Sequence, residues 1–162
     1  MSGDDIGVLS GGPLQSGSTY KILQLHFHWG ANDARGSEHT VGGREYPIEM
    51  HIVHTRNGVA DPLNTPTGLA VTGFFFEISP IDNVALFPLT SALSSIVNSK
   101  DSIPFSGSSF NIKDLISPVA TTSAYTYYSG SLTTPTCNEV VEWINILTPL
   151  KISSRQLALF RY

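Results

Sequence analysis

Gln24-Leu25-His26-Phe27-His28-Trp29-Gly30, answered by Glu49-Met50-His51-Ile52-Val53-His54, is the pair of stretches from which the chain is best read. Successive side chains of a strand point to opposite faces, so His26 and His28 project together with Gln24. Leu25, Phe27 and Trp29 then turn toward an apolar core. In the second stretch Glu49, His51 and Val53 share one face, and Met50, Ile52 and His54 share the other. If the two strands pair antiparallel, His26, His28 and His51 converge on one point. Three neutral imidazoles with a fourth position left open are the donor set of a catalytic zinc, whereas a structural zinc is closed by four protein ligands. Gln24 and Glu49 are the kind of group that holds the second ring nitrogen of a ligating histidine and fixes its tautomer. One histidine on an apolar strand is more often a hydrogen-bonded core residue. The H-x-H pair, a third histidine and polar residues at both i−2 positions together favour the metal. His54 points away from that face and reads as a buried structural residue, and His39 also falls outside the ligand set.

Outward from these two strands, placed at 20–30 and 46–56, the pattern predicts a mainly β, α+β domain. Its centre is a twisted, largely antiparallel sheet with short peripheral helices. A weak strand is expected near Ile6–Leu9, and a loop with a short strand over Gly36–Gly43. The Val/Phe-rich run Gly68–Ser79 has the composition of a fully buried strand. Leu89, Leu93, Ile96 and Val97 fall at helical spacing, which predicts a helix over 90–99. Residues 101–119 read as loop with a helical turn at Lys113–Ile116. Further strands are expected over Tyr125–Ser131 and Glu139–Leu147, and Ser153 or Ser154 is placed to cap a last helix over Gln156–Phe160.

With 162 residues the chain has room for one domain with a core, and no repeat or linker divides it. Hydrophobic residues at 41% against 14% charged exclude a disordered chain. A net charge of −4 without any Lys/Arg run argues against a nucleic-acid partner and against a polybasic membrane surface. The longest apolar run, Val71–Ile78, is interrupted by Thr72, Gly73 and Glu77 and is too short for a membrane span. Met1-Ser2-Gly3-Asp4-Asp5 is acidic and Gly-rich, unlike a signal peptide. Cys137 is the single cysteine, so no internal disulfide forms.

Leu25-His26-Phe27-His28-Trp29-Gly30, Gly36-Ser37-Glu38-His39-Thr40-Val41 and Tyr46-Pro47-Ile48-Glu49-Met50-His51-Ile52-Val53-His54 resemble the signature of the α-class carbonic anhydrases. Ser131-Leu132-Thr133-Thr134-Pro135 with Trp143, Gly68-Leu69-Ala70-Val71 and Ser153-Ser154-Arg155-Gln156-Leu157 resemble further blocks of that family, in the same order. The resemblance implies hydration of carbon dioxide to bicarbonate and a proton by zinc-bound hydroxide. It implies Zn2+ on His26, His28 and His51, with Gln24 and Glu49 behind them. Thr133 would accept a hydrogen bond from the hydroxide and donate its own proton to Glu38, as a hydroxyl can do both while an ionised carboxylate only accepts. Val53, Val71, Leu132, Val141 and Trp143 match the wall that receives carbon dioxide, and Thr134 lies beside the bicarbonate position. Sulfonamide-type inhibitors are implied as ligands.

The match begins inside the family's catalytic domain and stops before its C-terminal segment, so the expectation is a single partial domain, truncated at both ends. The family's proton-shuttle histidine lies upstream of the matched region, which predicts slow, buffer-dependent turnover. Cys137 resembles a cysteine that secreted and membrane-anchored members bridge to one near their N-terminus, which is compatible with an extracellular parent and leaves a cytoplasmic one open. The alternatives are a zinc-binding but catalytically weak binding or matrix protein, and a truncated isoform with impaired activity.

Overall fold

A computed structural model describes residues 7–96, 98, 110–122 and 124–161. Strands β1 (Val8–Ser10), β2 (Thr19–Trp29), β3 (Ile48–Arg56), β4 (Leu69–Ser79), β5 (Tyr125–Gly130) and β6 (Val141–Ser153) form one six-stranded sheet in the order β1-β2-β3-β4-β6-β5. The helices are short: α1 (Phe87–Leu93), α2 (Ile112–Ile116) and α3 (Ser154–Ala158). The mainly β expectation therefore holds. Among the described residues, no helix is long and apolar enough to cross a membrane.

β1 pairs antiparallel with β2, and β5 with β6. Just past the end of β3, Asn57 N donates to Thr19 O at the start of β2 (2.8 Å), while His26 lies beside His51 further along. Arg56 N likewise donates to Gly68 O just before β4 (2.9 Å). These end-to-start contacts make β2/β3 and β3/β4 antiparallel. β4 and β6 instead start together, with Leu69 N donating to Val140 O at 3.1 Å, and Glu77 meets Lys151 near their other ends. That pair is parallel, so the sheet is mixed and largely antiparallel.

Contacts group the chain into two units. The first comprises Met1–Phe27, Met50–Phe74 and Ala124–Leu147. Strand alternation gives it two apolar clusters. Val53, Leu69, Val71, Val140, Val141 and Trp143 form one, with Leu132 packed against it, and Leu14, Tyr20, Ala70 and Ile144 form the other, with Leu9 and Ile146. Leu69 and Val71 flank Ala70, and Val141 and Trp143 precede Ile144, so the clusters lie on opposite faces. Tyr20 belongs to the second face, yet His26, six residues on, lies beside His51, which shares its face with Val53 of the first. β2 therefore slips by one residue between them, as at a β-bulge.

The second unit comprises His28–Glu49, Phe75–Ser123 and Thr148–Tyr162. Tyr46 stacks on Phe75 with ring centroids 4.7 Å apart. Ser153 and Gln156 make a full capping box at the start of α3, as Ser153 was expected to. The Gln156 side chain also accepts from Asn83 N and donates to Asn83 O, each at 2.8 Å. Arg161 donates to Gly30 O and to Asp33 Oδ1, again both at 2.8 Å.

Several expectations shift. Trp29 is 45% exposed and meets Phe160 edge-on, while Leu25 and Phe27 are only half-buried. The reason is position: β2 lies beside the three-residue edge strand β1, and the continuous burial is on β3 and β4. Helix α1 starts at Phe87 rather than 90, because Pro88 fits its first turn, where no amide donor is needed. The helix ends at Leu93, and Val97 and Ser99 lie outside the described residues. In the Gly36–Gly43 loop the expected strand is an isolated Val41–Arg44 bridge. Ile6 lies outside the described residues, and β1 begins at Val8.

Candidate metal centre

The site begins with two histidines two residues apart on β2 and a third on its neighbour β3. Ligand-type atoms of His26, His28 and His51 all lie within 4.8 Å of one another. Two nitrogens on one tetrahedral zinc are about 3.4 Å apart, given Zn–N bonds of ~2.0–2.1 Å, so small ring movements would bring the three onto one ion. His51 is 1% exposed and sits edge-on to His26, with ring centroids 5.2 Å apart. Gln24 Oε1 lies 2.9 Å from His26 Nδ1. An amide oxygen only accepts, so Nδ1 bears the proton and Nε2 keeps its lone pair for a metal. The donor set fits zinc.

Glu49 has no exposed surface, and a buried carboxylate must be hydrogen-bonded to be tolerated. His39 provides the bonds: its backbone N donates to Oε2 at 2.9 Å and its Nδ1 to Oε1 at 2.6 Å. Ligand-type atoms of His39, Glu49 and His51 also lie within 4.8 Å of one another. The loop that delivers His39 is held in place by close backbone approach. A Cβ on Gly30 would sit 2.1 Å from Arg35 O, and one on Gly36 2.3 Å from Pro47 O. Ser37 completes the turn, its N donating to Tyr46 O at 2.9 Å and its Oγ accepting from Tyr46 N at 3.0 Å. His39 as the partner of Glu49 was not read from the sequence. The available signal was a face-sharing acidic residue that needed donors and a histidine without a role.

Glu38, beside His39 on the same loop, brings Oε2 within 3.3 Å of His28 Nε2. Thr133 and Thr134 are exposed, and Thr133 makes no side-chain hydrogen bond among the described residues. Val53, Val71, Val141 and Trp143 form one buried cluster with Leu132 against it, and Trp143 meets His51 edge-on at 4.8 Å. His54 is 5% exposed with Nδ1 3.2 Å from Ala70 O. Burial pushes its imidazole pKa down, against smaller upward effects of backbone hydrogen bonds. Cys137 is a free, exposed thiol.

A profile of the eukaryotic-type carbonic anhydrase family matches residues 2–162. The chain is similar to carbonic anhydrase 7 of Mus musculus, 41% identical over 162 residues. It is also similar to the putative carbonic anhydrase 5 of Caenorhabditis elegans (39% over 160 residues) and carbonic anhydrase 1 of Oryctolagus cuniculus (38% over 162). These matches cover 98%, 95% and 98% of the chain but 58%, 49% and 66% of the relatives. The chain thus spans between about half and two thirds of the curated relatives it matches.

Proposed function

Since the chain belongs to the eukaryotic-type carbonic anhydrase family, we propose that it serves the zinc-dependent, reversible hydration of carbon dioxide to bicarbonate and a proton. The observation that carries this reading is the convergence of His26, His28 and His51 on one face of β2 and β3. Zinc bound there would act as a Lewis acid and lower the pKa of a coordinated water from ~15.7 to ~7, a value characteristic of carbonic anhydrases rather than obtained from this chain. Gln24 fixes the His26 tautomer, and Glu49 with His39 braces the approach to His51. The wall of Val53, Val71, Leu132, Val141 and Trp143 excludes water and suits a small apolar molecule such as carbon dioxide. In this reading Thr133 donates its proton to Glu38 and presents its lone pairs to the attacking oxygen, while Thr134 lies beside the departing bicarbonate. An aromatic sulfonamide is expected to compete at the same place.

The test is carbon dioxide hydration followed by stopped flow with zinc content measured on the same sample. Turnover that needs zinc and disappears in His26→Ala supports the reading. A chain holding zinc without hydrating carbon dioxide supports instead a zinc-binding, catalytically weak relative. The solvent exposure of Thr133 favours that second reading.

A further inference from the structure

Three rings run in sequence from strand β5 to the metal face. Tyr128 and Trp143 are register partners across β5 and β6, with planes 9° apart and centroids separated by 6.2 Å. Trp143 in turn presents itself to His51 at 68° and 4.8 Å, an edge-to-face contact. His51 is thereby packed between Trp143 on one side and the His26 ring, at 88°, on the other. Trp143 is 2% exposed while Tyr128 is 41% exposed, so Tyr128 is the outer ring that backs the inner one.

Gly130, two residues beyond Tyr128 on the same face of β5, leaves room for this stack. A Cβ there would sit 2.8 Å from Tyr128 Cε2 and 3.2 Å from Trp143 Cδ1. Neither aromatic ring has a flexible end with which to yield, so any larger residue would push the rings apart. The indole is fixed from a further direction, its Nε1 donating to Ser131 O at 3.0 Å.

We infer that Tyr128 and Gly130 are positioning residues for the metal centre, setting through Trp143 the angle at which His51 meets its ligand. The inference rests on the functional reading above, since it assumes that His51 ligates zinc. Its effect should appear in metal binding before it appears in turnover, because the three-ring stack acts on the ligand and touches no reacting atom. Supports of ligating histidines are typically worth ~10–100-fold in metal affinity.

The experiment loads wild type, Tyr128→Leu, Tyr128→Phe and Gly130→Ala with Co2+ alone, records the visible d–d spectrum, and measures zinc affinity by chelator competition. Far-UV circular dichroism on each sample reports folding. Tyr128→Leu should shift the cobalt bands and weaken zinc about tenfold or more, while Tyr128→Phe, which keeps the ring, should match wild type in both. Gly130→Ala should shift the bands in the same sense as Tyr128→Leu. A folded Tyr128→Leu with the wild-type spectrum and affinity overturns the inference, as does a Tyr128→Phe that is equally impaired. If Tyr128→Leu does not fold, Gly130→Ala decides: an unchanged spectrum overturns the inference and a shifted one supports it. Wild type that holds no metal defeats the functional reading itself, a result distinct from all of these.

Discussion

Glu49 carries the sharpest residue-scale consequence, because a fully buried carboxylate that accepts two hydrogen bonds from His39 braces the position next to His51. Glu49→Gln should keep the fold and weaken zinc ~10–100-fold in a chelator competition. In the proposed reading, where Glu38 acts through Thr133, Glu38→Gln should leave zinc affinity within a few-fold and lower hydration. If the effects are reversed, so are the roles. His54 gives a pH signature. Its folded pKa lies below the usual imidazole value, so its contribution to stability is complete above about pH 6.5 and is lost as pH falls toward the folded pKa. Denaturant unfolding between about pH 7.5 and 5 should therefore show wild type losing more stability than His54→Asn, whose amide can still reach Ala70 O; parallel slopes would contradict this. At this scale the three-histidine cluster was legible, because H-x-H on one strand and a third histidine on another need only strand alternation. The His39–Glu49 pairing was not legible, because it depends on a loop whose path is closed by Gly30, Gly36 and Ser37.

Among the elements, α3 is held by its cap. Ser153→Ala removes one capping bond and should cost ~1 kcal/mol in thermal or denaturant unfolding. Gln156→Ala should cost more, about 2–4 kcal/mol, because it removes the side-chain half of the capping box and leaves both backbone groups of Asn83 without that side chain. Equal losses would mean that the Asn83 bridge is replaced by water. Nearby, Asp82 has its pKa lowered first by the Ser153 hydroxyl and then by Arg155. Such a carboxylate stabilises the fold above the ordinary range of about 4 and ceases to as pH falls through its folded value. The stability difference between wild type and Asp82→Asn should accordingly shrink as pH falls below about 4 and vanish only once the folded value is passed. The strands were legible to within a few residues, apart from the end of β6, which runs to Ser153 rather than 147. Thr148-Pro149 reads as a break, yet Leu147 N donates toward β5, to Ala124 O. Pro149 N therefore faces the same side, where among the described residues β5 does not extend, so no ladder bond is missing.

At the scale of the whole molecule, metal and fold are coupled, because an ion that binds only the folded chain stabilises it by mass action. Zinc at about 100 times its dissociation constant should add ~2.7 kcal/mol, visible as a rise in the melting midpoint that a chelator reverses. The largely antiparallel sheet and its fully buried strand β4 were legible in outline from the alternating strands and the Val/Phe-rich run. The one-residue slip in β2 and the parallel β4/β6 pair were not, since both are settled by contacts between segments distant in sequence. The central claim is that His26, His28 and His51 together hold one zinc. It is tested most directly by metal analysis of the dialysed wild-type chain beside His51→Ala. About one zinc per wild-type chain, and a near-complete loss in His51→Ala whose circular dichroism is unchanged, is the expected result. Zinc absent from the folded wild type, or held equally well without His51, would contradict it.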